Sequence, residues 1–138
     1  MSLFHKHPKK PILPPTWEIT RACLSLIFEC AKSSYPNEFG GFLKVDTTNK
    51  HRISEIELLP GTISGGSQAL FKLHMLPIDY SIVGTVHSHP SGAPFPSGAD
   101  RNLFDKFGRI HIITAAPFNE ISWRAYDFQG ATIQITLI

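Results

Sequence analysis

Two histidines, a serine and an aspartate fall within one short stretch, Val86-His87-Ser88-His89-Pro90 followed by Pro96-Ser97-Gly98-Ala99-Asp100. On an extended chain, residues i and i+2 point to the same side, so His87 and His89 can grip one ion. Asp100 lies beyond a Pro/Gly-rich turn and can add a carboxylate oxygen. Three protein ligands leave a tetrahedral zinc one open position for water, which is the catalytic rather than the structural arrangement. One zinc per chain is expected, held by His87, His89 and Asp100.

Ser97 and Asp100 also form an S-x-x-D helix-capping signature. Capping alone does not explain the paired histidines upstream. Water activated by a metal needs a group to take its proton and later return it. Glu38, in Pro36-Asn37-Glu38-Phe39-Gly40-Gly41, opens a buried-looking strand where an unpaired charge would be costly. It is therefore preferred over Glu55, Glu57 and Glu120, which read as solvated surface groups. Ser88, between the two histidines, should point away from the metal. His74 and His111 read as packed or partly exposed side chains rather than ligands, with His111, Phe118 and Trp123 open as core or substrate-groove residues.

The elements that must position these residues follow from periodicity. Ile19, Ala22, Cys23, Leu26, Ile27, Cys30 and Ala31 trace a helical stripe, with Thr20 as cap and Pro36 closing it. Phe39 to Val45 and Ile53 to Leu59 read as a hairpin. Ser64 to Ser67 is a loop, Ala69 to Leu73 a candidate strand and Leu76 to Tyr80 a connection. Ile82 to His87 is the strand that delivers the histidines. Ser97 to Lys106 is a helix burying Leu103, Phe104 and Phe107 and stopped by Gly108. Ile110 to Ala115, Ile121 to Tyr126 and Thr132 to Leu137 complete a mixed α/β sheet flanked by helices.

The 138 residues, 42% hydrophobic and 17% charged, suit one globular domain over residues 16–138. Residues 1–15, rich in Pro, Lys and His, read as a flexible basic tail, and the HxH of His5 and His7 there lacks a third ligand. A net charge of +2, concentrated in that tail, gives no case for nucleic acid. No signal peptide or membrane span is visible, so a cytoplasmic protein without a membrane partner is expected. Cys23 and Cys30 lie about 10 Å apart along one helix, too far to bridge, and read as reduced. The chain is too short for a (β/α)₈ amidohydrolase barrel. It lacks the H-x-E and P-C-x-x-C of a zinc nucleobase deaminase, and Pro90 to Phe95, shortly after the histidines, holds no glutamate as a cupin would require.

Glu38 with its glycines, then His87-Ser88-His89, seven residues, Ser97, two residues and Asp100, resembles the signature of the JAMM (MPN+) metalloprotease family. The likeness covers about Ile19 to Leu137, Gly84-Thr85-Val86 included, and is similar to compact prokaryotic, especially archaeal, members. It implies a cytidine-deaminase-like fold with a curved mixed β-sheet. It also implies a zinc isopeptidase or peptidase cleaving after the C-terminal Gly-Gly of a ubiquitin-like modifier or sulfur-carrier protein. Under it, His87, His89 and Asp100 hold zinc, Glu38 is general base and then acid, and Ser97 steadies the oxyanion. The competing expectation is a zinc-stabilised binding or scaffold module that recognises such a tail without turning it over.

Overall fold

The computed structural model describes residues 15–58 and 79–138. The readings for the tail before residue 15, for the loop, strand and connection between 59 and 78, and for His74 lie outside the described residues. The first helix, α1 (Arg21–Ser34), starts where expected: Thr20 Oγ1 accepts the Cys23 amide at 3.1 Å, satisfying a donor that the first turn leaves open. Its inward face is Cys23, Leu24, Ile27, Phe28 and Ala31, whereas Ala22 and Leu26 face out. The expected stripe is thus rotated. Leu24 and Phe28 bring more apolar area to the sheet than Ala22 and Leu26, and burial follows area. Ile19 belongs not to this helix but to a three-residue strand, β1 (Trp17–Ile19), too short to leave a periodic trace.

The hairpin is present as β2 (Gly40–Asp46) and β3 (Asn49–Leu58), paired antiparallel. On its other side β2 pairs antiparallel with β4 (Ile82–His89). The helix α2 (Gly98–Lys106) then crosses over to β5 (Ile110–Ala115), which lies parallel to β4. β6 (Trp123–Asp127) and β7 (Thr132–Ile133) extend the sheet antiparallel. The final strand, β8 (Ile135–Leu137), instead runs parallel to β1.

The strand order is β7-β6-β5-β4-β2-β3-β1-β8. Its two ends, β7 and β8, are separated in the chain by Gln134 alone, so the sheet must curl until its edges nearly meet. Thr132 to Leu137 is therefore two strands serving opposite edges, not one. A periodicity reading cannot see this division, because both halves keep the same alternation while pairing with different partners.

The two faces of the sheet are covered by different helices. Val86, Ile112, Leu43 and Phe39 face α1 in the main core. On the other face, Phe42 meets Leu103 of α2, and Phe104 of α2 packs with Ile113 and Tyr126. Because side chains alternate along β4, Thr85 and His87 share this second face with their parallel neighbours His111 and Ile113. Among the described residues no helix is long and apolar enough to cross a membrane.

Candidate metal centre

β4 ends at His89, at the carboxyl end of the parallel β4–β5 pair, where crossover folds place their ligand sites. His87 is fully buried and His89 half-buried. The loop from Pro90 to Pro96 leads into α2, whose N-cap is Ser97. Ser97 Oγ accepts the Asp100 amide at 3.1 Å, and Asp100 Oδ2 accepts the Ser97 amide at 2.9 Å. This reciprocal capping box holds the Asp100 carboxylate in the first turn of α2, aimed at the histidines. His87 Nε2 lies 3.1 Å from Asp100 Oδ1, His89 Nε2 lies 3.1 Å from Asp100 Oδ2, and the two imidazole nitrogens are 3.2 Å apart.

The donor set fits a zinc ion. Ligand bonds of about 2.0–2.1 Å in tetrahedral geometry separate donor atoms by about 3.3–3.4 Å, close to the spacing of these three side chains. His89 Nδ1 lies 3.0 Å from the Ala93 carbonyl oxygen, which can only accept, so Nδ1 carries the proton and Nε2 is left as a donor for metal. Burial opposes ionisation of Asp100, but when the imidazoles carry protons on Nε2 in place of a metal, their hydrogen bonds and that from the Ser97 amide hold its carboxyl well below the usual range. For His89, burial pushes the ring down. The Asp100 carboxylate, the Ala93 carbonyl and the charge of Glu38 together more than reverse that, leaving its pKa raised.

The chain that carries Glu38 is tied to β4. The Phe39 amide donates to Ser88 Oγ at 2.8 Å, and the Ser88 amide donates to the Phe39 carbonyl at 3.0 Å. Gly40 stands opposite His87. Half-buried Glu38, one residue before Phe39, is thereby carried at the start of the strand that pairs beside His87, and its charge acts on His89. Ser88 points to the opposite face from the histidines, as expected, and its hydroxyl anchors the chain that carries Glu38. Ser97 is exposed; since its oxygen accepts the Asp100 amide, its own O–H can donate outward. Glu55, Glu57 and Glu120 are exposed. Cys23 and Cys30 are unbridged. Burial, with the charge of Glu55, pushes the Cys23 thiol up to about 12, which excludes it as a nucleophile at neutral pH.

His111 is not a ligand. Its Nε2 lies 3.1 Å from the Phe104 carbonyl and 3.2 Å from that of Gly108, so Nε2 carries the proton and donates. Nδ1 accepts the Thr85 hydroxyl at 2.7 Å, and the ring stacks on Phe104 at 4.3 Å. The neutral ring thus ties the end of α2 to β5. Burial pushes its pKa down to about 4, against the partial opposition of the two carbonyls. Because the folded value lies below that of the unfolded chain, the unfolded state binds the proton first as pH falls. His111 therefore contributes stability that is full above about pH 6.5 and is lost between about 6.5 and 4, amounting to about 3 kcal/mol. Urea melts at pH 7 and pH 4.5 should show the wild type losing more stability than His111→Gln; equal losses would refute the assignment. Phe118 is a core residue and Trp123 is half-buried against the same core.

Sequence reasoning missed Ala93, Phe104 and Tyr126 as neighbours of the site. Ala93 acts through a backbone carbonyl, which has no side-chain signature, and Tyr126 reaches the site only through tertiary contact.

A curved mixed sheet with a His-His-Asp group at the end of its parallel strand pair defines a JAB/MPN-type metal-site domain. The chain belongs to the family of prokaryotic homologs of the JAB domain (Prok-JAB), which matches residues 20–126. It is 31% identical over 119 residues to a probable metalloprotease of Haloferax volcanii, covering 81% of this chain and 73% of that protein. A JAB1/MPN domain protein from Archaeoglobus fulgidus has a similar solved structure, with TM-score 0.71 and 36% identity over 88% of this chain and 98% of that one. Another, described as a JAMM metalloprotease-like zinc site in the proteasome and signalosome, gives TM-score 0.69 and 31% identity over 90% and 99%. The chain is thus a JAMM-type protein of the metalloprotease kind, and its His87, His89 and Asp100 form a group that could hold a metal ion.

Proposed function

We propose that this protein is a zinc-dependent isopeptidase or peptidase that cleaves after the C-terminal Gly-Gly of a ubiquitin-like modifier or sulfur-carrier protein. The observation that carries this reading is the convergence of His87, His89 and Asp100, with Ser97 capping the helix that holds Asp100 and the charge of Glu38 acting on His89. Zinc bound there would polarise the scissile carbonyl and acidify water. Glu38 takes the proton of the attacking water as its oxygen bonds to the carbonyl carbon. The same carboxyl then hands that proton to the departing amine as the C–N bond breaks. The outward Ser97 O–H donates to the oxygen that gains negative charge, a contact whose removal costs about 10²–10³ in rate in comparable sites.

A tail also needs a seat. β3 is paired with β1 only at Arg52 and Ile53, so Ser54 to Leu58 run toward the metal end with no further β1 pairing. Leu58 lies opposite Gly41, at the end of β2 that pairs with His87 and Val86. An extended Gly-Gly tail could add to this segment as a strand, small residues permitting close approach of its backbone to the ion.

The test is a fusion carrying a C-terminal Gly-Gly followed by a reporter. Cleavage after the second glycine, with one zinc per chain and loss of activity on chelation, is expected. Replacing the penultimate glycine by leucine should abolish it. Binding of the fusion without cleavage would favour the scaffold reading.

A further inference from the structure

We propose that Tyr126, which is neither one of the three ligands nor Glu38 or Ser97, is a positioning residue for the metal ligand His89 and thereby sets the affinity of the site for zinc. Its phenolic O–H donates to the Pro94 carbonyl at 2.6 Å. The carbonyl one residue earlier, that of Ala93, is the acceptor that fixes the His89 ring through Nδ1. Tyr126 thus clamps the loop that orients His89. Two further contacts hold this loop from the strand side, where the Ala116 amide donates to the carbonyls of Ser91 and His89.

The same ring also reaches the helix that carries the third ligand. Tyr126 is 3% exposed and stacks on Phe104, centroid to centroid 5.8 Å at 22°. Phe104 stands one turn after Asp100 in α2, stacks on His111 with its other neighbour contact, and lies 6.5 Å from the His87 ring. One side chain therefore braces both walls of the site: its hydroxyl fixes the His89 loop, and its ring supports the helix bearing Asp100. Partners of this kind, which orient a ligand without touching the metal, typically change metal affinity 10–100-fold when removed.

The inference rests on metal binding at this site and not on any cleavage. Tyr126→Phe keeps the ring and its stacking while deleting the O–H. In competition with a chromophoric chelator at fixed pH, its dissociation constant for zinc should rise about 10–100-fold. The solvent exchange of the His89 Nδ1 proton in the zinc-bound variant, followed by NMR, should quicken in parallel. A merely structural role would lower the melting temperature and leave the zinc affinity of the folded protein unchanged; that result overturns the proposal, whatever the hydrolysis assay shows. Should the variant not fold, the wild type alone decides: a slowly exchanging His89 Nδ1 proton supports the clamp, and rapid exchange overturns it.

Discussion

Glu38→Gln is expected to lower cleavage of the Gly-Gly fusion about 10²–10⁴-fold while the protein keeps its full complement of zinc. The amide has nearly the shape of the carboxylate, so the chain that Ser88 anchors at Phe39 should stay in place. It cannot accept a proton at neutral pH, and proton acceptance is the step assigned to Glu38. His87, His89 and Asp100 converge without it, which is why metal content should not change. Rate and metal are thus measured separately, by the fusion assay and by elemental analysis. Loss of zinc in the variant would make Glu38 a ligand instead of a base. An unchanged rate would move the proton transfer to another group and remove the main support for the proposed mechanism.

Gly84→Ala is expected to unfold the domain or to destabilise it by more than about 4 kcal/mol, beyond the usual range for a single substitution. A Cβ at Gly84 would fall on the carbonyl oxygen of Ile110 and lie 2.6 Å from its carbonyl carbon. These are backbone atoms of the adjacent parallel strand and cannot swing aside as a side chain would. The crowding is mutual: a Cβ at Gly108, which has φ +131°, would meet the Val83 carbonyl at 2.5 Å and the Gly84 Cα at 2.7 Å. The chain leaving α2 therefore turns into β5 against bare backbone of β4, a position that only glycine permits. Since β4 continues from Gly84 to His87 and His89, zinc binding should be lost with the strand pairing. Urea titration and zinc content check this; a midpoint close to that of the wild type would show that the strands can separate without cost.

Strong local signals in the chain were readable without a structure. The start of α1 was legible because Thr20 precedes a helical stripe, and β5 because a short run dominated by Ile110, Ile112, Ile113 and Ala115 is bounded by Gly108-Arg109 and Ala116-Pro117. The convergence of His87, His89 and Asp100 was legible because a strand's two-residue period and a capping signature each fix where a side chain points, whatever surrounds them. The rotation of α1, the strand β1 and the division of the C-terminal strand at Gln134 were not. Each depends on which partner surface offers the better pairing or the larger apolar area, and that choice is made across distances that no local pattern records.

The sequence by itself determined the chemistry of the site: two imidazoles, a carboxylate, a capping serine and the candidate base Glu38, in an order and spacing that allow one ion with room for water. Tertiary structure alone decided which glutamate is carried toward the histidine pair and what holds those side chains at their angles. The charge of Glu38 acts on His89 because β2 pairs with β4 and Phe39 is tied to Ser88. His89 presents the correct nitrogen only because a loop carbonyl, braced by Tyr126 from β6, takes the proton of the other. Local geometry can aim a side chain, but the protonation and position that make it a ligand or a base come from neighbours far away in the chain.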